Sequence, residues 1–220
     1  MEIFILGNRG RMGSFLSELF KERGFKVSGS DIAAGDTEGR ESDIRKSDAV
    51  ILSVPQDIAL GFVRKHADLK NIIEIGSVKS VFTEFAGRIV SIHPLFGPLS
   101  QGSSARKQII FIDDITPEVK KDMIIRLFGE VELVSMTADR HDRVMADILV
   151  APYIISVLSS RINIHGDLGT RSSRSLGCMA DISKMESMEV LKKTISMNPY
   201  SPQVFKEIRE GIMELGGEIQ

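Results

Sequence analysis

The stretch IFILGNRGRMG, residues 3–13, decides the fold because a short apolar strand runs directly into a glycine-rich turn. Beyond the turn, apolar residues recur with the spacing of one helix face: Met12, Phe15, Leu16 and Leu19. Glycines in such a turn let the backbone approach a pyrophosphate, whose charge is stabilised at the amino end of the following helix. The stretch therefore predicts a strand, turn and helix that bind a dinucleotide, although tight packing alone also explains a glycine-rich turn.

The spacing of the turn is G-x-x-G-x-x-G, and Asn8 stands where the common G-x-G-x-x-G pattern has its first glycine. Asp31, at the end of the second predicted strand, can accept hydrogen bonds from the adenosine ribose hydroxyls. Because the same carboxylate would repel a 2′-phosphate, NAD is the expected cofactor, with NADP as the alternative. The expected cofactor-binding residues are Gly7, Asn8, Arg9, Gly10, Arg11, Met12, Gly13, Asp31, Ser53, Val54, Pro55 and Gly76.

The rest of residues 1–135 alternates β-branched runs with helical patterns. Seven runs are expected to be strands: 3–6, 26–30, 49–53, 72–75, 89–92, 109–112 and 131–134. Apolar strands joined by helices indicate a parallel sheet covered on both faces. The sequence thus predicts an α/β fold, with a doubly wound, mainly parallel Rossmann-type sheet over residues 1–135. A smaller all-helical domain is expected over residues 136–220.

The helical region carries an apolar seam with alternating spacings of four and three: Val144, Ile148, Ala151, Ile155, Leu158 and Ile162. This spacing predicts one long helix with a buried side, kinked or broken near Pro152. The region is short for an independent core, so we expect burial against a second subunit in a homodimer. A helical cap packed on its own sheet domain is the alternative.

Composition excludes several function classes. The 220 residues carry a net charge of −2, with both signs interspersed, which gives no electrostatic attraction to nucleic acid or to an anionic membrane. The single cysteine, Cys178, argues against a disulfide framework or a multi-cysteine metal site, and no metal-ligand spacing is found. No signal peptide or membrane span is predicted, so we expect a cytoplasmic protein that acts on a small molecule.

Polar residues follow three successive predicted strands, where a doubly wound fold places its chemistry. They lie in Ser53-Val54-Pro55, in Glu74 to Ser80 (EIGSVKS) and in His93-Pro94. A neutral imidazole is a good general base near neutral pH, which makes His93 the candidate base. A helix cap at Ser77 and a packed ring at His93 are the structural alternatives.

Two other histidine positions receive structural interpretations. His66 follows a helical pattern and is expected to be exposed. His141 and Asp142 lie near the start of the long predicted helix, where capping and the helix dipole explain an acidic residue.

Six motifs, in this order and at these intervals, resemble the prephenate dehydrogenase family, NAD(P)-dependent enzymes of tyrosine biosynthesis. They are GNRGRMG, the aspartate that closes the second strand, ILSVP, EIGSVKS, HPLFGP and RHDRVMADI. The resemblance covers roughly residues 1–155 and is most specific in SVK followed by HPLFGP. It implies a dinucleotide-binding domain followed by a helical domain that makes the dimer.

The resemblance also implies residue roles. His93 would accept the proton of the substrate's C4 hydroxyl while hydride leaves C4 and the ring loses carbon dioxide, and Ser77 would orient that hydroxyl. Arg174 matches one of two family arginines that bind the substrate carboxylates, and Tyr153 stands where the family has a further histidine. The second arginine has no counterpart.

The position of that second arginine falls near Asp181 and Ile182, so Arg171, Lys184 or a partner subunit would have to replace it. This departure leaves two other functions open. One is an arogenate dehydrogenase or another small-acid dehydrogenase on the same scaffold. The other is a non-catalytic NAD-binding sensor.

Overall fold

The computed structural model of the protein describes residues 1–31, 40–98, 106–163 and 169–217. The chain forms two compact units, Met1–His141 and Asp142–Gln220. The sequence predicts a boundary after residue 135, and the first unit ends at His141, inside a helix.

The first unit is built on a seven-stranded sheet in the order β2-β1-β3-β4-β5-β6-β7. The strands are β1 (Glu2–Leu6), β2 (Lys26–Ser30), β3 (Ala49–Leu52), β4 (Ile72–Glu74), β5 (Val90–Pro94), β6 (Gln108–Ile112) and β7 (Glu132–Met136). All neighbouring strands pair in parallel except β5 and β6, which are antiparallel. The predicted mainly parallel, doubly wound sheet is confirmed.

Helices and short turns connect these strands. They are α1 (Arg11–Glu22), α2 (Glu41–Lys46), α3 (Gln56–Lys65) and α4 (Lys121–Phe128), with 3₁₀ turns at Ser80–Phe85 and Glu118–Lys120. All four residues of β3 are buried, as expected for a central strand covered on both faces. Leu16 and Phe20 of α1 are fully buried in the core against the sheet.

The chain order places a crevice beside β1. From β1 the chain crosses to β2 on one side, and it later returns to β3 on the other side. The connections therefore diverge where β1 and β3 end, and such a switch point is where doubly wound folds bind their ligands.

The second unit is helical. Helix α5 (Ala138–Met145) crosses the unit boundary and continues as a π-helical turn, Ala146–Val150. The remaining helices are α6 (Ala151–Ser159), α7 (Arg171–Met185), α8 (Met188–Met197) and α9 (Ser201–Gly217). Near Pro152 the chain stays helical: a π turn ends at Val150, and the proline lies in the first turn of α6, where a missing N–H is tolerated.

Much of the predicted apolar seam is exposed in the chain by itself, and its burial against a second subunit stays a prediction. Ile148, Ile155, Leu158 and Ile162 are 36% to 56% exposed. The small core of the second unit instead uses a face with a four-residue repeat: Ala146, Val150 and Ile154, together with Val204 of α9. The reason is that the π turn rotates the following residues relative to the regular helix that the spacing assumes. None of the helices in the described part of the chain combines the length and the apolar composition that crossing a bilayer requires.

Candidate active site

The glycine-rich turn after β1 is held by close backbone contacts. Gly7 has a φ of 86°, and a Cβ added there would lie 2.2 Å from the carbonyl oxygen of Ser53. A Cβ on Gly13 would lie 2.0 Å from the carbonyl oxygen of Gly7. Packing alone therefore explains Gly7 and Gly13. Helix α1 begins after Gly10 without a side-chain cap, and such a helix terminus suits a pyrophosphate.

Asp31 lies beside this turn. The N–H groups of Gly7 and Asn8 both donate to the carbonyl oxygen of Ser30, at 2.7 Å and 3.3 Å. The half-buried Asp31 follows directly. The side chain of Asn8 lies against Gly29 of β2, where a Cβ would come within 2.7 Å of the Asn8 Cβ. The structure thus brings the turn and the predicted ribose-binding carboxylate together.

A cavity of about 200 Å³ opens at the carboxyl ends of β1 and β2. Its lining includes Leu6, Ser30, Ile44, Phe62 and His66. The prediction that His66 is exposed is wrong, because its ring packs on Phe62 with 4.3 Å between centroids and is 4% exposed. Burial lowers the pKa of His66, which favours the neutral ring. The largely apolar lining fits the adenine ring of a dinucleotide.

The residues after β3 and β4 lie at the same edge of the sheet. The N–H of Ser53 donates to the carbonyl oxygen of Leu6 at 2.9 Å, and Val54 approaches Gly7. Pro55 is the N-cap of α3. Gly76 has little room for a side chain, because an added Cβ would lie 3.1 Å from Gln56 Cγ.

His93 is placed by β5, with its side chain at the carboxyl end of that strand. It is half-buried, and its Nδ1 lies 3.0 Å from Nε2 of the fully buried His141 on α5. Burial is the main cause that holds the pKa of His93 well below its usual value, and the positive charges of His141, when protonated, and Lys79 act in the same direction. His93 is therefore neutral at neutral pH.

Capping does not account for the acidic residue Asp142, which is fully buried and lies in the second turn of α5. The side chain of Thr137 is the cap: its Oγ1 accepts a hydrogen bond from the N–H of Arg140 at 3.3 Å. His141 lies one turn further along and contacts His93 instead. In the sequence, the signal for the contact between His93 and His141 was the His-Asp pair of the RHDRVMADI motif.

Ser77 lies close to the strand ends that carry His93. In the ladder between β4 and β5, Glu74 is paired with Ser91. Ser77 follows the last residue of β4 by three positions, and His93 is the penultimate residue of the neighbouring β5, so both lie towards the carboxyl ends of adjacent parallel strands. The loop after Ser77 is fixed by Gln56, whose Nε2 donates to the carbonyl oxygen of Val78 at 2.5 Å.

The HPLFGP segment after His93 approaches the glycine-rich turn. A Cβ on Gly97 would lie 3.3 Å from the sulfur of Met12. The first unit therefore brings the segment that follows the candidate base against the helix that follows the glycine-rich turn. A buried lysine, Lys79, also contacts the strand that carries His93, and sequence reasoning missed it because lysines are usually exposed.

The two predicted substrate-binding residues lie on neighbouring helices of the second unit. Tyr153 is half-buried on α6, and Arg174 is exposed on α7. The N–H of Ser183 donates to Ser156 Oγ at 2.7 Å, which fixes the register of the two helices. Arg174 lies about 13 Å along α7 from this contact and Tyr153 about 4–5 Å along α6. The two side chains are therefore attached at different levels of the helix pair.

The position without a second arginine is occupied by an ion pair. Asp181 lies 2.9 Å from Lys184 Nζ, three residues along α7. Lys184, one of the expected substitutes, thus already has a carboxylate partner.

Comparison with known proteins shows which solved structures share the fold of this chain. No family model and no curated protein sequence matches the chain. Among solved structures, Aquifex aeolicus prephenate dehydrogenase, in complex with hydroxyphenyl propionate and NAD⁺, aligns over 100% of this chain and 90% of its own. That alignment has a TM-score of 0.74 and 18% identity. The chain has the fold of this dehydrogenase.

Two further structures show how broadly this fold is used. Synechocystis arogenate dehydrogenase aligns over 100% of this chain and 92% of its own, with a TM-score of 0.66 and 16% identity. An NADH-preferring ketol-acid reductoisomerase from an uncultured archean aligns over 99% and 83%, with a TM-score of 0.57 and 10% identity. Since one fold serves different substrates, the function has to be argued from the site.

Proposed function

We propose that the protein is an NAD-dependent dehydrogenase that converts prephenate to 4-hydroxyphenylpyruvate by oxidative decarboxylation. The observation that carries the proposal is the position of His93, a neutral imidazole hydrogen-bonded to a buried second histidine at the edge of a dinucleotide-binding sheet. The resemblance of HPLFGP and SVK to the prephenate dehydrogenase family and the fold shared with a prephenate dehydrogenase support it.

The first unit offers a place for each part of NAD. The turn with Gly10 and the amino end of α1 would hold the pyrophosphate, and Asp31 the adenosine ribose. The cavity beside Ser30 would take the adenine. When bound, NAD supplies the acceptor for the hydride that leaves C4 of the substrate.

His93 would act as the base through Nε2, because Nδ1 is already engaged by His141. A base at Nε2 requires the tautomer in which Nδ1–H of His93 donates to Nε2 of His141. The hydrogen bond then fixes the plane of the imidazole and stabilises the imidazolium once His93 has taken the proton of the C4 hydroxyl.

His93 both takes up and returns the proton of the C4 hydroxyl. Loss of the C1 carboxylate as carbon dioxide leaves its bonding electrons in the ring, which becomes aromatic with a phenolate oxygen at C4. His93 returns the proton to that oxygen, so no net proton is released and the base is regenerated. Ser77, at the end of the neighbouring strand, would orient the hydroxyl before transfer.

The helical unit would supply the carboxylate-binding groups and the dimer interface. Arg174 is exposed and offers a permanently charged, bidentate donor. The exposed seam of Ile148, Ile155, Leu158 and Ile162 is apolar, which favours burial against a second copy of the chain. Tyr153 would take the place of a family histidine.

Arogenate is the second candidate substrate, favoured by the fold shared with an arogenate dehydrogenase. The chemistry at C4 is the same, and the two substrates differ only in a keto or an amino group on the side chain. The decisive assay combines prephenate or arogenate with NAD or NADP and follows the absorbance of the reduced cofactor. Turnover with prephenate and NAD is expected. Measurable NAD binding without turnover of either substrate would instead identify a sensor.

A further inference from the structure

A lysine and a glutamate are buried together beneath His93. Lys79 and Glu74 are 0% and 1% exposed, and Lys79 Nζ lies 2.6 Å from Glu74 Oε1. Among the described residues, the hydrogen-bond partners of the Glu74 carboxylate are donors: the ammonium of Lys79, the hydroxyl of Ser91 and the N–H of Gly76. Burial raises the pKa of Glu74, and these donors oppose that effect, so the arrangement fits a carboxylate paired with an ammonium.

Stability alone is a poor reason for such a pair. Removing two charges from water costs several kcal/mol per ion, and well-packed apolar residues of similar volume are often as stabilising or more so. A role in positioning neighbouring groups is the better-founded explanation.

The pair contacts the segment that carries His93. Lys79 Nζ donates to the carbonyl oxygen of Ile92 at 2.7 Å, and Glu74 accepts from the hydroxyl of Ser91. The pairing of β4 with β5 ends at Glu74 and Ser91, so β4 does not reach the next residue of β5, Ile92. Lys79 supplies a hydrogen bond to Ile92 instead. The peptide group before His93 is thereby fixed.

The charge of Lys79 acts on His93 as well. Among the described residues, two titratable side chains act on the imidazole: His141 on α5 and Lys79 in the loop after β4, and Lys79 is itself paired with Glu74. His141 and Lys79 both lower the pKa of His93, after the larger effect of burial.

We infer that Lys79 is a positioning residue for His93, held by Glu74, because its ammonium fixes the peptide group that directs the imidazole. This inference rests on the proposed role of His93 as the base. Lys79 itself does not touch the substrate in this account. It keeps Nε2 of His93 directed at the reacting hydroxyl and disfavours a proton on the ring before the reaction.

The test uses a double variant, Glu74→Gln with Lys79→Met, which removes both charges and leaves no buried ion unpaired. This variant should fold, since neutral replacements of a buried pair are tolerated. Lys46→Met, at an exposed position on α2, is the matched control for the loss of a lysine.

Two measurements separate positioning from a merely structural role. In protein labelled with ¹⁵N-histidine, with the His93 signals assigned by their loss in His93→Asn, the wild type should show the single tautomer with a proton on Nδ1. The double variant should show a mixture of both tautomers, because the peptide group that directs the ring towards His141 is no longer fixed. Its kcat should also fall by roughly 10- to 100-fold, the effect of a misplaced catalytic group, while NAD affinity is retained.

The outcomes remain distinguishable if the proposed function fails. The NMR measurement needs no turnover, so it tests whether Lys79 positions His93 even in a protein that oxidises neither substrate. A single, unchanged His93 tautomer in a folded double variant would overturn the inference. Full kcat in an active double variant, with stability equal to the control, would overturn it too.

Discussion

Replacing Gly7 by alanine tests whether the close approach between the turn and β3 shapes the dinucleotide site. Gly7 has a φ of 86°, and the new Cβ would meet the carbonyl oxygen of Ser53 at 2.2 Å. That oxygen belongs to a backbone held by the hydrogen bond from Ser53 N–H to Leu6, so it cannot rotate away as a side chain could. The turn itself has to move.

The magnitude follows from two contributions. A left-handed backbone costs an L-residue about 1–2 kcal/mol, and overpacking costs about 1–3 kcal/mol more. The free energy of unfolding should therefore fall by roughly 2–5 kcal/mol. Gly24→Ala is the matched control, since Gly24 has a φ of 80° and no atom within 4 Å of the added Cβ. The free energy of unfolding of the control should fall by only about 1–2 kcal/mol, because its alanine has a left-handed backbone but no steric overlap.

Urea unfolding followed by circular dichroism measures both losses, and calorimetric titration with NAD measures the site. The reduction in unfolded-chain entropy that alanine brings is the same in the two variants and cancels in their difference. Gly7→Ala should also weaken NAD binding by at least about tenfold, while Gly24→Ala leaves it unchanged. Equal losses of stability in the two variants would show that the contact with Ser53 relaxes freely and does not constrain the turn.

Three further predictions concern the proposed chemistry. His93→Asn should lower kcat by roughly 10²–10⁴ with NAD affinity retained, as stopped-flow and calorimetry would show, and full turnover would make His93 structural. Because the pKa of His93 lies well below its usual value, kcat/KM should stay constant as pH falls through the usual histidine range and decline only below it. A fall of kcat/KM within the usual pH range of histidine titration would contradict the lowered pKa of His93. Asp31→Asn should weaken NAD binding by about tenfold and NADP binding less, as competition for the two cofactors would reveal; equal losses would remove Asp31 from the ribose site.

The free energy of unfolding of the first unit should also depend on the protonation of His93. A histidine with a lowered pKa binds its proton more readily when the chain is unfolded, so its contribution to stability is complete above the unfolded pKa. That contribution declines as pH falls through the unfolded value towards the folded one. Urea unfolding at a series of pH values should show the loss in the wild type and a smaller loss in His93→Asn.

Much of the fold could be predicted because local patterns carry it. The apolar run of β3 is continuous and the helix face of α1 is regular, so each identifies its element without any knowledge of the rest of the chain. The helical seam does not mark the core of the second unit, because a π turn at Ala146–Val150 changes the face presented afterwards. Sequence spacing assumes a regular helix and cannot register such a turn.

The site was predicted only in part, for a related reason. His93 and Ser77 could be found because strand ends in a parallel sheet meet at one edge, which is a rule of topology. The contact of His141 had only the HD motif as a signal, and that of Lys79 had none, because each reaches the site through one specific contact across the tertiary structure. A lysine on a strand-end loop resembles a solvated one until its burial is known.

By itself, the sequence determined the doubly wound sheet, the glycine-rich turn and the candidate base, since all three follow from residue types at fixed spacings along the chain. Only the tertiary structure decided that His93 is bonded to His141, that an ion pair lies beneath it and that His66 lines a cavity. The physical reason is that the protonation and direction of a side chain depend on burial and on partners distant in sequence.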